Sequence, residues 1–250
     1  MSSQHSVLLL GGTGRTGTYV LKHLLDRGIT VRAIVRSTRK LPPALTENSH
    51  LTVIEADLLS LSGEDLQRHV RGCDAVISCL GHVISLKGIY GPPRDFVTLI
   101  TKRIAITIEA LKPASPIKFI LMNSVSVNHP AEIEMRRGAF ERLFLLLLRG
   151  LLPPARDNQE AVNFLFGRNG TAHSFMEWTA IRPDTLIDGD VSDYALHDSL
   201  VNSLFAPGTS TMANIAHFMC ELVVRPETWT RWKGKLPVLV NAAGTSGGSR

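Results

Sequence analysis

The sequence predicts an α/β fold, a doubly wound parallel sheet with an irregular C-terminal region. Three observations carry that prediction. Short apolar runs at residues 7–10, 51–55, 74–78 and 117–122 each have the length of a buried strand. Stretches with helical periodicity separate them. A glycine-rich turn, Gly11, Gly12, Gly14 and Gly17, follows the first run at once. Such alternation places parallel strands between two layers of helices, with right-handed crossovers.

Residues 7–36 form the first unit. After the strand at 7–10, Val20, Leu21, Leu24 and Leu25 recur at the helical period, and Gly28 stands just past Arg27, where a left-handed residue ends a helix. Residues 29–35 are the second strand. The spacing G-x-x-G-x-x-G over Gly11, Gly14 and Gly17 points to a dinucleotide. The first glycine permits a tight turn, the second lets a pyrophosphate approach the backbone, and the third lets helix and strand pack closely. Alone the glycine pattern is weak; with strand, turn, helix and second strand in register it is specific.

The second strand ends VRAIVRS. An NAD site usually places an acidic residue there for the adenosine ribose, whereas Arg36 inverts the charge. Arg36, with Arg15 in the turn and Arg39 or Lys40 nearby, suits a 2′-phosphate through charge-assisted bonds, so the expected cofactor is NADP(H). A solvated basic loop is the alternative.

Residues 41–50 carry two prolines and read as a loop. The third strand, 51–55, leads into Ala56, Asp57 and Leu58. A helix over 61–70 uses Leu61 and Leu66 and is stopped by Gly72. The fourth strand, 74–78, leads into Cys79, Leu80, Gly81 and His82. Phe96, Ile100, Ile104 and Ile108 predict a helix over 94–111, and 117–122 is the fifth strand. Gly14, Arg36, Asp57, Gly81 and Ser124 then fall at the C-terminal strand ends, where ligands of such sheets bind.

Beyond Ser124 the pattern loosens. Residues 131–152 are helix-rich, with FERLFLLLLRGLL at 140–152. Its unbroken part, 143–148, is too short to span a bilayer. A buried helix, a subunit contact and an apolar substrate wall remain open for it. Pro153 and Pro154 break the run, and 157–166 resumes as a helix with Ala161, Val162, Leu165 and Phe166 on one side. A sixth strand at 177–181 precedes Arg182, Pro183 and Asp184; a late helix at 214–224 and a late strand at 237–240 follow. No repeat or linker divides the chain. One domain is expected over 1–250, with a cofactor half to about 125, a substrate side over about 126–241 that caps the sheet, and a frayed tail at 242–250.

A hydrophobic content of 44% with 20% charged residues describes an ordinary globular chain. The net charge of +5 is scattered rather than gathered, so no nucleic-acid partner is expected. Cys73, Cys79 and Cys220 have neither disulfide nor metal spacing, and no H-x-x-x-H occurs. The run at 7–10 is too short for a signal sequence. A cytoplasmic location with no membrane partner is expected.

In their order, GGTGRTG, VRAIVR, EADL, ISCLG, FILMNSVSV and WTAIRPDTL resemble the atypical short-chain dehydrogenase/reductases, and are most similar to the NAD(P)H-binding, NmrA-like branch with its Rossmann-type fold. The resemblance implies that Thr13, Gly14, Arg15, Thr16 and Gly17 wrap the pyrophosphate after the turn at Gly11. It implies that Arg36 marks NADP, Asp57 and Leu58 border the adenine, Leu80 and Gly81 line the middle of the cofactor, and Pro183 lies near the nicotinamide. Ser124 falls where the family has its catalytic Ser or Thr.

One departure stands out. The usual reductase chemistry uses a Tyr with a Lys one helical turn later, yet none of Tyr19, Tyr90 and Tyr194 has a Lys four residues on. The corresponding helix reads PPARDNQEAVNF. Asp157 there is a base or substrate-positioning group, or else the cap of its own helix with Glu160 three residues on, the favoured reading. His82 faces the expected cleft and could transfer protons near neutral pH; His129 lies in the same region. Ser124, His82 and Asp157 are the catalytic candidates. Arg182 and Asp184 flank Pro183 on the nicotinamide side, or form an internal ion pair.

The expected activity is an NADP(H)-dependent oxidoreduction of a small apolar or aromatic carbonyl, enone or quinone; Trp178 and the segment at 140–152 suggest the apolar substrate. Two alternatives share the scaffold: a non-redox isomerase, dehydratase or ring-opening enzyme of secondary metabolism, and an NmrA-like dinucleotide sensor, which alone requires a protein partner. The Leu-rich segment leaves a homodimer open.

Overall fold

The computed structural model describes residues 5–82, 85, 89–131, 137–168 and 175–242. At its centre is β1 (Ser6–Leu10), in which Val7, Leu8, Leu9 and Leu10 are all fully buried. Successive side chains of a strand point to opposite faces, so Val7 and Leu9 enter one core while Leu8 and Leu10 enter the other. Burial on both faces is why the run is apolar throughout instead of alternating.

After β1 come α1 (Arg15–Asp26), β2 (Thr30–Val35), the short α2 (Pro43–Thr46), β3 (Leu51–Glu55), α3 (Gly63–Val70), β4 (Ala75–Ser78), α4 (Phe96–Leu111) and β5 (Ile117–Met122). The second half adds α5 (Ala139–Leu151), α6 (Pro153–Gly167), β6 (Met176–Pro183), β7 (Thr185–Ile187), β8 (Tyr194–His197), β9 (Thr209–Thr211), α7 (Met212–Val224), α8 (Pro226–Trp232) and β10 (Val238–Asn241). The main sheet runs β3-β2-β1-β4-β5-β6-β10-β8, parallel except for β8, which pairs antiparallel with β10. Strand order reverses between β1 and β4, the point at whose C-terminal ends open α/β sheets bind their ligands. One core lies under α1, α7 and α8, the other under α3, α4 and α6.

The expected strands 51–55 and 117–122 are β3 and β5 to the residue. α3 starts two residues later than the apolar pattern suggests, because Ser62 and Asp65 form a reciprocal capping box. Pro153 and Pro154 end the run as expected, after Leu151, and also open α6 four residues before the expected start: a proline in the first turn gives up an N–H that has no partner there. β7, β9 and α8 escaped the sequence reading, as did β8, whose four residues are all half-buried and carry no alternation.

Two expectations about apolar residues are corrected. α5 is not a buried helix, since Phe140 and Leu146 stand 72% and 69% exposed on it. Trp178 gives the apolar substrate no support: it is buried in β6 with its ring 5.0 Å from that of Phe166. Cys73, Cys79 and Cys220 are buried free thiols, and burial pushes Cys79 and Cys220 up to about 12. Among the described residues no helix is long and apolar enough to cross a membrane. The expected tail, from 243 on, lies outside the described residues, as does 132–136 of the helix-rich segment.

Candidate functional site

The turn between β1 and α1 brings the helix and the strand end unusually close. Gly11 has φ +80°, and a Cβ there would lie 2.7 Å from the Cys79 carbonyl oxygen. A Cβ on Gly17 would lie 2.0 Å from the Gly11 oxygen, so α1 packs on the turn more closely than any side chain allows. Gly14 N–H donates to the Gly11 oxygen at 2.9 Å and closes the turn. Gly14 is the N-cap of α1, without a side-chain cap and with no acidic residue in the first turn. The first-turn N–H groups and the positive helix end are therefore left for an anion. Thr18, which the sequence reading passed over, stitches the loop by donating its hydroxyl to the Gly12 and Gly14 oxygens at 3.2 and 2.9 Å. Thr16 is buried, and Arg15 is exposed with Nη2 3.3 Å from Asp188 Oδ2.

Arg36 is exposed at the end of β2. Beside it, Glu55 accepts from Thr38 N–H at 3.0 Å, a bond that holds its carboxyl below the usual range. After β3, Asp57 Oδ1 accepts from Leu59 N–H at 3.1 Å, and Leu58 is buried. Arg103 on α4 fixes this loop by donating to the Leu58 and Leu61 oxygens, a contact too distant in sequence to anticipate. After β4, Leu80 is half-buried and Gly81 exposed, with open space where a Cβ would be.

The next groups come together through α6. His82 Nε2 lies 2.7 Å from Asp157 Oδ2, and the Asp157 side chain is fully buried. Its carboxylate also accepts Val97 N–H at 2.7 Å and Thr98 N–H at 2.9 Å, while its carbonyl accepts from the Thr98 hydroxyl at 2.9 Å. The expectation that Asp157 caps its own helix is thus corrected: it caps α4, whose N-cap Asp95 makes no side-chain cap bond. Glu160 is exposed.

Asn158 and Gln159 fasten the loop after β5. The Asn158 oxygen accepts from Asn123 Nδ2 at 3.1 Å, and Gln159 bonds both N–H and carbonyl of Asn128 at 2.9 and 3.1 Å. Ser124 N–H donates to Asn123 Oδ1 at 2.9 Å, and Ser124 Oγ accepts from Ser126 N–H at 3.2 Å. Ser124, His82 and Asp157 therefore sit on, or are tied to, the adjoining C-terminal ends of β4 and β5. His129 packs its ring 4.6 Å from Phe166 and accepts from Ala131 N–H.

Pro183, buried at the end of β6, accepts from Val125 N–H at 3.2 Å. Its neighbours brace the surrounding loops. Arg182, fully buried, donates to the Leu236, Val127 and Asp198 oxygens, and Asp184 accepts from Thr185 N–H, Gly208 N–H and Asn202 Nδ2. Tyr194 is committed elsewhere, its hydroxyl 2.9 Å from His217 Nδ1, and burial raises it to about 12.

The chain matches the model of the NAD(P)H-binding family over residues 11–226. An uncharacterized chloroplastic protein of Arabidopsis thaliana is 28% identical over 218 residues, covering 82% of this chain and 73% of that protein. An oxidoreductase from Lactococcus lactis superposes with a TM-score of 0.67 at 19% identity, over 95% of this chain and 91% of that one. A Rossmann-fold NAD(P)-binding family protein from Shigella flexneri gives 0.64 at 19% identity, over 99% and 98%. A short-chain dehydrogenase/reductase from Veillonella parvula in complex with NADP gives 0.67 at 14% identity, over 96% of each chain. At these identities the likeness to the solved structures is one of fold.

Proposed function

Because the chain belongs to the NAD(P)H-binding family, we propose that it is an NADP(H)-dependent oxidoreductase acting on a small apolar or aromatic carbonyl, enone or quinone. The observation that carries this reading is the buried pair of His82 and Asp157, with His82 just past the C-terminal end of β4 as the glycine turn is just past that of neighbouring β1. In this reading Thr13, Arg15 and Thr16 offer the pyrophosphate backbone N–H groups at the helix end, and Gly11, Gly14 and Gly17 shape the turn that lets it approach. Arg36 takes the 2′-phosphate by a forked, charge-assisted contact. Asp57 and Leu58 border the adenine, Leu80 and Gly81 the middle of the dinucleotide, and Pro183 the nicotinamide.

The bound nicotinamide supplies hydride transfer at its C4. The protein must move the matching proton. His82 gives it to the substrate oxygen in reduction and takes it back in oxidation, and Asp157 holds the ring in place. Ser124 Oγ, already accepting from Ser126 N–H, keeps its own hydrogen to donate to the substrate oxygen. The commitment of Tyr194 to His217 favours one second reading, a dinucleotide sensor that dispenses with a tyrosine proton donor.

The test is a titration with NADPH, NADH, NADP⁺ and NAD⁺, followed by NADPH consumption against apolar ketones, enones and quinones. Selective NADPH binding is expected, with turnover that falls about 100-fold in His82→Asn. Tight binding with no turnover on the panel would transfer the reading to the sensor. Failure to bind any nucleotide would overturn both.

A further inference from the structure

Helix α5 turns Glu141 and Leu145 inward and most of its other apolar residues outward. Glu141 is 5% exposed, paired with Arg137 at 3.3 Å and accepting from Leu204 N–H at 2.9 Å and the Ser203 hydroxyl at 3.3 Å. By contrast, Phe140, Leu143, Phe144, Leu146, Leu147 and Leu151 are 40–72% exposed. The bonds from Glu141 bring the loop of residues 203–205 against the helix. Phe205, 56% exposed, has its ring 5.7 Å from that of Phe140 and 5.5 Å from that of Phe144. The continuous apolar surface is on the order of 700 Å² at these exposures, more than monomeric proteins ordinarily leave open.

Charge decides what covers it. Arg142 is exposed on α5, Arg149 is half-buried with Nη2 2.9 Å from the Ser126 oxygen, and Arg156 is exposed at the start of α6. Among the described residues Arg142 and Arg156 have no carboxylate partner, and the carboxylate of α5 itself is turned inside. A second copy would add its own Arg142 and Arg156 to the contact with only Glu160, among the exposed residues of α5 and α6, to offset them, whereas anionic headgroups would neutralise them all. A 13-residue helix about 20 Å long, with Phe and Leu on one face and Arg at the border, has the pattern of a helix lying in a lipid interface.

We propose that α5 and the Phe205 loop seat the protein on the surface of an anionic lipid bilayer. The expectation of no membrane partner rested on the length needed to span one, and surface docking needs no span. The proposal is independent of the catalytic reading.

Flotation with phosphatidylcholine vesicles, and with vesicles containing phosphatidylglycerol, tests it at low and high salt. The wild type should float with the anionic vesicles, less so at high salt. The double variant Leu143→Glu/Leu147→Glu should lose that partition about tenfold or more, and Arg142→Glu about fivefold. Both variants should melt like the wild type, because the altered side chains face solvent. Absence of flotation, or flotation unchanged in both variants, overturns the proposal. So does a wild type that sediments as a dimer without binding vesicles and becomes monomeric in the double variant, which assigns the face to a second copy.

Discussion

His82 and Asp157, 75 positions apart in the chain, meet at 2.7 Å with side chains only 6% and 0% exposed. The same carboxylate is the cap of α4, so the group that positions the candidate proton carrier also anchors a helix. A buried carboxylate is retained only where such partners offset its lost hydration.

Asp157→Ala strands the Val97 and Thr98 N–H groups and removes the carboxylate from the His82 ring. It should cost about 3 kcal/mol in urea unfolding. Asp157→Asn keeps one carbonyl acceptor and should cost about half as much. Equal losses in the two variants would show that the cap does not carry the contribution.

The glycines of the turn should differ in a set order. Gly17→Ala drives a methyl onto the Gly11 oxygen at 2.0 Å and should destabilise by about 3 kcal/mol or more, with loss of nucleotide binding. At Gly14 the same methyl meets that oxygen at 3.2 Å, so thermal melting should move only a few degrees while nucleotide affinity still falls. Gly63→Ala, with nothing within 4 Å, is the neutral control. If Gly14→Ala proved as disruptive to folding as Gly17→Ala, the close approach of α1 would not be what the third glycine permits.

What the sequence made legible was local or periodic. β1, β4 and β5 could be read because a strand buried on both faces needs an unbroken apolar run, the edge strand β3 because Leu51, Val53 and Ile54 are apolar although only half-buried, and the glycine turn because its three requirements fall within seven residues. The His82–Asp157 pair could not, since capping a helix from a different helix leaves no mark in the residues around Asp157. α5 misled for a related reason: composition tells that FERLFLLLLRGLL is apolar but not which face is outward, and the burial of Glu141 depends on Arg137 and on a loop some sixty residues later. β8, at the opposite edge from β3, has only Tyr194, Ala195, Leu196 and His197, which form neither an apolar run nor an alternation.

Arg36→Ala should weaken NADPH binding by roughly tenfold to a hundredfold and leave NADH unchanged, as measured by fluorescence titration. Arg36 is exposed at the end of β2, so the variant should keep its stability. A matching loss for NADH would mean that the arginine acts on something common to both nucleotides.

Acid sensitivity should originate at the contact of α1 with α7. His23 and His217 face each other edge to face with ring centroids 6.5 Å apart. Burial lowers both, helped by Lys22 and Arg27 at His23 and by Arg27 at His217; Asp26 and Glu221 act in the opposite sense and do not prevail. In the unfolded chain both return to the ordinary 6.5. Between that value and the lower folded ones, the unfolded state binds more protons. Stability is therefore full above about 6.5 and declines as the pH falls through the folded values. Urea unfolding across this window should show the decline, and His217→Gln, which keeps a hydrogen-bonding group for the Tyr194 hydroxyl, should flatten it. A slope unchanged in His23→Gln/His217→Gln would place the acid sensitivity outside this contact.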